Sequence, residues 1–204
     1  MKRLLGAIPT ILLSMAVLIG FDEPPPAVSL FDGKSLKGWS AEHTDGFTPR
    51  DGLLASKPGD GWLKSAKSYK NFQLELEFRV LKEASEGGLF FRAGAESGPS
   101  PPFWPAKGYQ LPINSGDGDL MLFGHGTNPP RFERKAEALK AASKGPGAWQ
   151  KLLLKADGAH IEVSLNDVLI TVADGIAPDG GFLGLYDKAG DYEWKNLTIR
   201  VQPD

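Results

Sequence analysis

Hydrophobic and polar residues alternate along most of the chain after Val28. The clearest segment is residues 72–80, where five apolar residues alternate with four polar ones. Because successive side chains of a strand point to opposite faces of a sheet, this period predicts a strand with one buried and one solvated face. The period recurs at residues 160–165 and 168–172, with Asn166-Asp167 between them. These two segments are predicted to form an antiparallel hairpin.

The same reasoning predicts strands along the rest of the chain. Further candidates lie at residues 88–93, 109–113, 119–123, 149–156, 181–186 and 194–201. At least eight strands with no alternating helices favour antiparallel sheets, and therefore an all-β sandwich. Only residues 131–143 break the pattern, since apolar residues recur there at helical spacing among strong helix formers. This stretch predicts one short surface helix.

The N-terminal residues differ in composition from the rest. Lys2 and Arg3 precede an almost uncharged apolar run that ends at Ile19, so residues 1–20 are predicted to be a signal peptide. The alternative is an uncleaved membrane anchor, because the run approaches the length of a spanning helix. Either alternative exports the body of the protein to the periplasm, the cell surface or the medium. The Pro-rich residues 21–27 predict a stiff spacer before one domain at residues 28–204.

Composition narrows the range of partners and chemistries. The formal net charge is −2, and no stretch concentrates enough lysine or arginine to attract a phosphate backbone, so nucleic acid is not an expected partner. A membrane partner is expected only if the N-terminal segment is not cleaved. The chain has no cysteine, which excludes disulfides, thiolate nucleophiles and cysteine-ligated zinc. The fold therefore depends on packing.

Seven motifs in order carry a family resemblance. They are residues 30–39 (LFDGKSLKGW), 51–54, 69–79, 87–92, 147–150, 165–167 and 194–199. Together they resemble the landmarks of the 3-keto-disaccharide hydrolase domain family. The resemblance implies a concanavalin-like jelly roll, in which two antiparallel sheets stack and the inner one curves into a groove. It also implies the cleavage of 3-keto-glycosides by elimination followed by hydration.

The sequence departs from the family at two places. After Gly108-Tyr109 the family usually carries a glutamate and then a glutamine, where this chain has Gln110 and Pro112. The family often follows its Gly-Leu pair with polar residues that include a histidine, whereas residues 184–185 here precede Tyr186 and Asp187. These departures leave a non-catalytic carbohydrate-binding module as the alternative to an enzyme. A structural sandwich that binds protein at the cell surface is a third interpretation.

The implied chemistry needs a base and a cation. A ketone at carbon 3 acidifies the hydrogen on carbon 2, so a base can remove it while the glycosidic oxygen leaves carbon 1. His125 follows an apolar segment and lies between two glycines, so it is the predicted base; the alternative is an ordinary loop histidine. Arg92 ends the apolar segment 89–91 and is the predicted catalytic cation, with a structural salt bridge as its alternative. Strand alternation places His160 in solvent.

Five further residues are predicted to hold the substrate. Tyr109 and Gln110 supply hydrogen-bonding groups at the altered family motif, and Tyr186 and Asp187 do so at the second one. Trp104 lies in the Pro-rich segment 99–105, where an exposed indole can stack on the apolar face of a pyranose. The alternative for Trp104 is packing over an open edge of the core.

One loop has the composition of a metal site. Asn114, Asp117 and Asp119 place three oxygen-bearing side chains among glycines, and calcium accepts such ligands. A turn rich in Asn, Asp and Gly has the same composition without metal, and the spacing favours that simpler interpretation. Calcium is the only cofactor that the sequence suggests. Neither a nucleotide-phosphate loop nor a Ser-His-Asp signature is evident.

Overall fold

The computed structural model describes residues 24–113, 123–125 and 131–203, apart from the side chain of His125. Fifteen strands and one helix occur within these residues. The strands are β1 (Val28–Ser29), β2 (Trp39–Glu42), β3 (Thr48–Arg50), β4 (Leu53–Ala55), β5 (Trp62–Tyr69), β6 (Phe72–Val80), β7 (Glu86–Ala93), β8 (Gly108–Pro112), β9 (Phe123–His125), β10 (Arg131–Arg134), β11 (Gln150–Asp157), β12 (His160–Leu165), β13 (Val168–Asp174), β14 (Gly181–Ala189) and β15 (Tyr192–Val201), and the helix is α1 (Ala136–Ala142).

The strands form two antiparallel sheets. Sheet A has the order β10-β13-β12-β11-β6-β15-β4-β3, with β1 also paired to β15, and sheet B has the order β2-β5-β14-β7-β8-β9. The predicted hairpin of residues 160–172 is confirmed, since β12 pairs with β13 from His160↔Asp174 to Leu165↔Val168. The predicted all-β, jelly-roll sandwich of antiparallel sheets is confirmed as well.

The predicted helix is shorter than the sequence suggested. Residues 131–134 form β10, which pairs antiparallel with β13 from Arg131↔Asp174 to Arg134↔Thr171, and α1 begins only at Ala136. Hydrogen bonds to the open edge of sheet A outweigh the helix propensity of these four residues, because propensity is a weak preference that tertiary pairing overrides. The helix then buries Leu139 and Ala142.

The core lies between the two sheets. In β6 the alternate residues Leu74, Leu76 and Phe78 are buried in it, and from sheet B the alternate residues Leu183 and Leu185 join the same cluster. The period-two pattern therefore directs one face of each sheet inward. No helix in the described part of the chain is long and apolar enough to cross a bilayer. The predicted signal peptide, residues 1–20, lies outside the described residues.

Candidate functional site

A second hydrophobic cluster lies on the face of sheet B that points away from sheet A. Trp62 of β5, Phe90 of β7 and Tyr186 of β14 are buried in it. Each alternates along its strand with a residue of the main core, so the three side chains point outward. The Phe90 ring lies 4.8 Å from the Tyr186 ring and 5.6 Å from the Trp62 ring, measured between centroids. We call this cluster the aromatic platform.

Gly184 makes room for the aromatic platform. It lies between the paired strands at the level of Phe90 and Lys64. A Cβ atom on Gly184 would come within 2.4 Å of the Trp62 ring, which real Cβ atoms do not tolerate. The glycine therefore allows the indole of Trp62 to lie close over the backbone of β14.

The segment 94–107 folds over the aromatic platform. Trp104 packs its ring against Tyr186 at 5.0 Å and Phe90 at 5.7 Å between centroids. Two hydrogen bonds hold the segment in place. Trp62 Nε1 donates to Ser97 Oγ at 3.1 Å, and a backbone amide of the segment donates to the backbone carbonyl of residue 60. Trp104 is half-buried and forms the outer layer of the platform. This position matches the alternative interpretation of Trp104 as a packing residue, and it leaves part of the indole exposed.

Two lysine–glutamate ion pairs flank the aromatic platform. Lys64 Nζ lies 2.8 Å from Glu42 Oε1 and 5.5 Å from the ring centroid of Phe182. Burial raises the pKa of Glu42, but hydrogen bonds from Lys64 and Ser40 outweigh the effect of burial, so this pKa is lowered overall. On the other side, the Lys188 ammonium lies 3.0 Å from Glu86.

These ion pairs determine which charged groups lie beside the aromatic platform. Lys188 Nζ lies 5.9 Å from the Trp104 ring, so an ammonium group borders each side of the platform. The carboxylate of Glu42 is held in its charged form by Lys64, which makes it a poor proton acceptor at neutral pH.

Gln110 and Tyr186, two of the residues predicted to hold the substrate, come together on this face. Gln110 is the polar neighbour of the Tyr186 hydroxyl. Burial raises the pKa of Tyr186 well above its ordinary range, and the contact with Gln110 offsets only part of that shift. Tyr186 therefore keeps its proton at neutral pH and can act through hydrogen bonds.

Tyr109 and Asp187 lie on the opposite face of sheet B from Gln110 and Tyr186. Tyr109 is next to Gln110 in the sequence, and Asp187 is next to Tyr186. The Tyr109 ring stacks on Phe91 in the main core at 5.4 Å, and its hydroxyl accepts a hydrogen bond from the Ala177 amide at 2.8 Å. Asp187 is 1% exposed and accepts from Ser56 Oγ at 2.7 Å. Burial raises its pKa to about 6. Strand alternation separates each of these residues from its neighbour, so neither accompanies Gln110 and Tyr186 on the outer face.

Arg92 leaves the outer face through a β-bulge. Phe91 and Arg92 together oppose the single residue Leu183 of β14, and Arg92 has a φ of 48°. A Cβ atom on the neighbouring Gly181 would lie 2.3 Å from the carbonyl carbon of Arg92. The glycine is therefore needed for the bulge to fit against β14.

The bulge directs the Arg92 guanidinium to the end of the sandwich. It donates to the carbonyls of Lys70, Gly158 and Ala177 at 2.8 to 3.2 Å. Arg92 is 6% exposed, and burial is the main cause that lowers its pKa. The prediction placed this guanidinium in the groove as a catalytic cation, with a salt bridge as the alternative. Its placement instead favours a structural role through backbone carbonyls.

The remaining predicted residues lie largely outside what the structure describes. The backbone of His125 pairs with Gly108 at the edge of sheet B, but its side chain is not described. The calcium candidates Asn114, Asp117 and Asp119 also lie outside the described residues. Their roles stay predictions. Among the residues described, no group of three His, Asp or Glu side chains could hold a metal ion.

A cavity of about 300 Å³ adjoins the platform beside Phe182. Its lining includes Ser68, Lys107 and Asp179, together with the half-buried ring of Phe182. Arg92 and Tyr109, which the sequence predicted as site residues, also line this cavity, although their hydrogen bonds are to the backbone of the protein. One aromatic face with several hydrogen-bonding groups is the combination that binds a sugar ring. Sequence reasoning missed Phe182, although its period-two relation to Tyr186 along β14 was a signal for it.

The chain matches the 3-keto-alpha-glucoside-1,2-lyase-like domain over residues 26–200. The chain belongs to this family. The predicted resemblance is thereby confirmed, and membership of the 3-keto-alpha-glucoside-1,2-lyase-like family supports a carbohydrate-related, glycoside hydrolase-like role. None of the curated proteins matches the sequence.

Solved structures share the fold of this family member. A candidate glycosyl hydrolase from Parabacteroides distasonis is 18% identical, with a TM-score of 0.64, over 87% of this chain and 94% of the other. A second from the same organism is 22% identical, with a TM-score of 0.61, over 87% of this chain and 100% of the other. The carbohydrate-binding module CBM66 from Bacillus subtilis is 20% identical, with a TM-score of 0.58, over 80% of this chain and 95% of the other. At these identities the likeness shows the fold.

Proposed function

We propose that this chain is an exported enzyme that binds a glycoside on the outer face of sheet B and cleaves 3-keto-glycosides. The observation that carries the proposal is the pair of partly exposed rings, Trp104 and Phe182, that pack on the buried aromatic platform beside the cavity, in a member of the 3-keto-alpha-glucoside-1,2-lyase-like family. Aromatic faces stack on the apolar face of a pyranose, and the flanking polar groups bond to its hydroxyls. Export would follow from cleavage of residues 1–20, and N-terminal sequencing of secreted protein tests it.

The proposed reaction is elimination followed by hydration. The base takes the hydrogen of carbon 2, the electron pair forms the carbon 1–carbon 2 double bond, and the glycosidic oxygen leaves carbon 1 and is protonated. Water then adds across that double bond. His125 is proposed as the base. Lys107 lines the cavity, and Lys64 and Lys188 border the platform, so these ammonium groups are proposed for the developing enolate oxygen, in place of Arg92, whose guanidinium is bonded to backbone carbonyls.

Turnover of a chromogenic 3-keto-glucoside by the purified protein tests this proposal. We expect activity in the parent and a loss of roughly 100-fold or more in His125→Ala, the range that removal of a general base produces. His160→Ala is the matched control, because His160 is an exposed residue of sheet A paired with Asp174. A parent without turnover, or a His125→Ala variant as active as the parent, would contradict the enzyme proposal.

The second candidate function is a non-catalytic carbohydrate-binding module. It is favoured by Gln110, an amide where the family usually has an acid, and by Glu42 and Glu86, which are both engaged by lysines. The fold likeness to CBM66 is consistent with it. This candidate predicts saturable binding of unoxidised and 3-keto glucosides, measured by calorimetry, with no turnover of either.

A further inference from the structure

A second cavity, of about 340 Å³, lies where β3, β4 and β15 come together in sheet A. In β15, Trp194 belongs to the main core, so its neighbour Glu193 points away from sheet B. The cavity is therefore on the outer side of sheet A, opposite the face that carries the aromatic platform. Its lining includes Thr48, Arg50, Lys57, Leu81, Asp191 and Glu193.

A buried carboxylate holds Arg50 in the lining of this cavity. The Glu193 side chain is 5% exposed, and its Oε1 lies 3.0 Å from Arg50 Nη2. Its Oε2 accepts a hydrogen bond from Arg79 Nε at 2.6 Å. The Arg79 guanidinium is fixed further because it stacks over the Trp149 ring, 4.8 Å from the centroid. The two arginines are thus held beside one acid.

Arg50 keeps most of its hydrogen-bonding capacity. Its side chain is 61% exposed, yet one nitrogen is tied to the buried Glu193. Its Nε and Nη1 groups make no hydrogen bond within the described chain. A planar guanidinium with adjacent free N–H groups is suited to bind a carboxylate with two parallel hydrogen bonds.

Ion pairs with neighbouring residues set the charge that the cavity presents to a ligand. Arg50 and Arg79 share the single negative charge of Glu193, and Asp191 is paired with Lys82. The ammonium of Lys57 adds a further positive charge to the lining. The lining holds two cations, Arg50 and Lys57, and two carboxylates, Asp191 and Glu193. Because Arg79 and Lys82, outside the lining, also pair with those carboxylates, the positive charge of Arg50 and Lys57 is not fully balanced. An anionic ligand is therefore favoured here over a neutral one.

We propose that this cavity binds the hexuronate unit of an acidic saccharide, with the sugar carboxylate on Arg50 and Lys57. The cavity volume is at the lower end of the range for small-molecule sites, which suits a single sugar ring. The Thr48 hydroxyl supplies a hydrogen-bonding group for the ring, and the half-exposed Leu81 supplies an apolar contact. The site is independent of the proposed 3-keto-glycoside cleavage, because it uses the other sheet.

Titration of the purified full chain with glucuronate, glucose and acetate, followed by calorimetry, tests the proposal. We expect saturable binding of glucuronate. Any binding of glucose should not depend on Arg50, and acetate should bind at least tenfold more weakly than glucuronate. Acetate that binds as tightly as glucuronate would overturn the saccharide assignment and leave a simple anion site. Glucuronate that binds no better than glucose would overturn the site altogether.

Variants locate the binding. Arg50→Gln should weaken glucuronate binding about tenfold or more, which is the loss expected for a charge-assisted hydrogen bond. Arg200→Gln makes the same charge change on β15, outside the cavity lining, and should bind like the parent. If Arg50→Gln fails to fold, Lys57→Gln replaces it with the same expected direction. Unchanged glucuronate affinity in the folded variant would refute the role of that cation.

Activity separates this proposal from the enzyme proposal. Arg50→Gln should turn over the 3-keto-glucoside at the parental rate, and His125→Ala should bind glucuronate with parental affinity. A failure of glucuronate binding with turnover intact rejects the hexuronate site alone. A failure of turnover with glucuronate binding intact rejects the enzyme proposal alone.

Discussion

The Arg92 guanidinium joins three loops at one end of the sandwich through the carbonyls of Lys70, Gly158 and Ala177. Arg92→Lys cannot reproduce these bonds, because one ammonium lacks the width of the guanidinium fork. We expect both Arg92→Lys and Arg92→Ala to lower the free energy of unfolding by about 3 kcal/mol, since buried carbonyls lose a charged partner.

Urea denaturation measures this loss, with Arg200→Lys as the control on the half-exposed part of β15. A change within about 0.5 kcal/mol, as at ordinary surface positions, would show that the three loops hold together without Arg92. In that case the predicted role of Arg92 as a catalytic cation would be worth testing in the same variants.

Asp187 makes stability depend on pH in the opposite sense to a salt-bridged carboxylate. Burial raises its pKa from the ordinary 3.8 to about 6, so the folded state favours the protonated form. Its contribution is therefore fully present below about pH 4 and is lost as pH rises through 6. A difference of about two pKa units corresponds to about 3 kcal/mol.

Asp187→Asn should remove this dependence. We expect the variant to match the parent near pH 4 and to be more stable at pH 7, by up to about 3 kcal/mol, because the amide stays neutral and its oxygen can still accept from Ser56. Urea denaturation at both pH values measures the difference. Asp45→Asn, at an exposed position, should show no such crossover. A parallel shift of Asp187→Asn at both pH values would contradict the assignment.

At the scale of the strand, Gly184 determines whether the aromatic platform can form on β14. A methyl group there meets the Trp62 ring at 2.4 Å, and Phe90 Cβ at 3.2 Å on the other side. Gly184→Ala should therefore displace the indole and cost about 1 to 3 kcal/mol of stability, the usual range for overpacking. Displaced rings would also weaken glycoside binding.

Thermal unfolding and calorimetric titration with a glucoside measure both effects. Gly145→Ala is the control, since no heavy atom lies within 4 Å of the Cβ position at Gly145. Normal stability in Gly184→Ala would mean that Trp62 has another position available over β14.

Alternation in the sequence was sufficient to predict strands such as β6 and the β12–β13 hairpin, because it follows directly from the pleat of a sheet. The same rule, applied strictly to adjacent residues of one strand, also places Tyr109 and Gln110 on opposite faces. The bulge at Arg92 was not predictable, since it depends on how β7 aligns with β14 and on a glycine in that neighbouring strand. Register between strands is set by long-range contacts, which a local pattern does not contain.

At the scale of the whole molecule, one cavity lies beside sheet B, toward the end of the sandwich that holds Arg92, and the other lies on the outer face of sheet A. The cavity beside Phe182 combines an aromatic ring with uncharged and charged hydrogen-bonding groups, whereas the cavity at Arg50 presents Arg50 and Lys57 beside carboxylates that are paired with further cations. The densely packed core between the sheets separates them. Distant sites without shared partners contribute additively, so a variant at one site should leave the other unaffected.

This separation predicts a double dissociation of ligand binding. Phe182→Ala should weaken binding of a neutral glucoside by roughly tenfold, since a lost aromatic contact is worth about 1 kcal/mol or more, and should leave glucuronate binding unchanged. Arg50→Gln should do the reverse. Calorimetric titration of both variants and their double mutant measures the four affinities. If Phe182→Ala weakened the binding of both ligands equally, the two ligands would share the cavity of sheet B. The reason is that a substitution in sheet B, in a variant that still folds, should not alter the binding groups of sheet A.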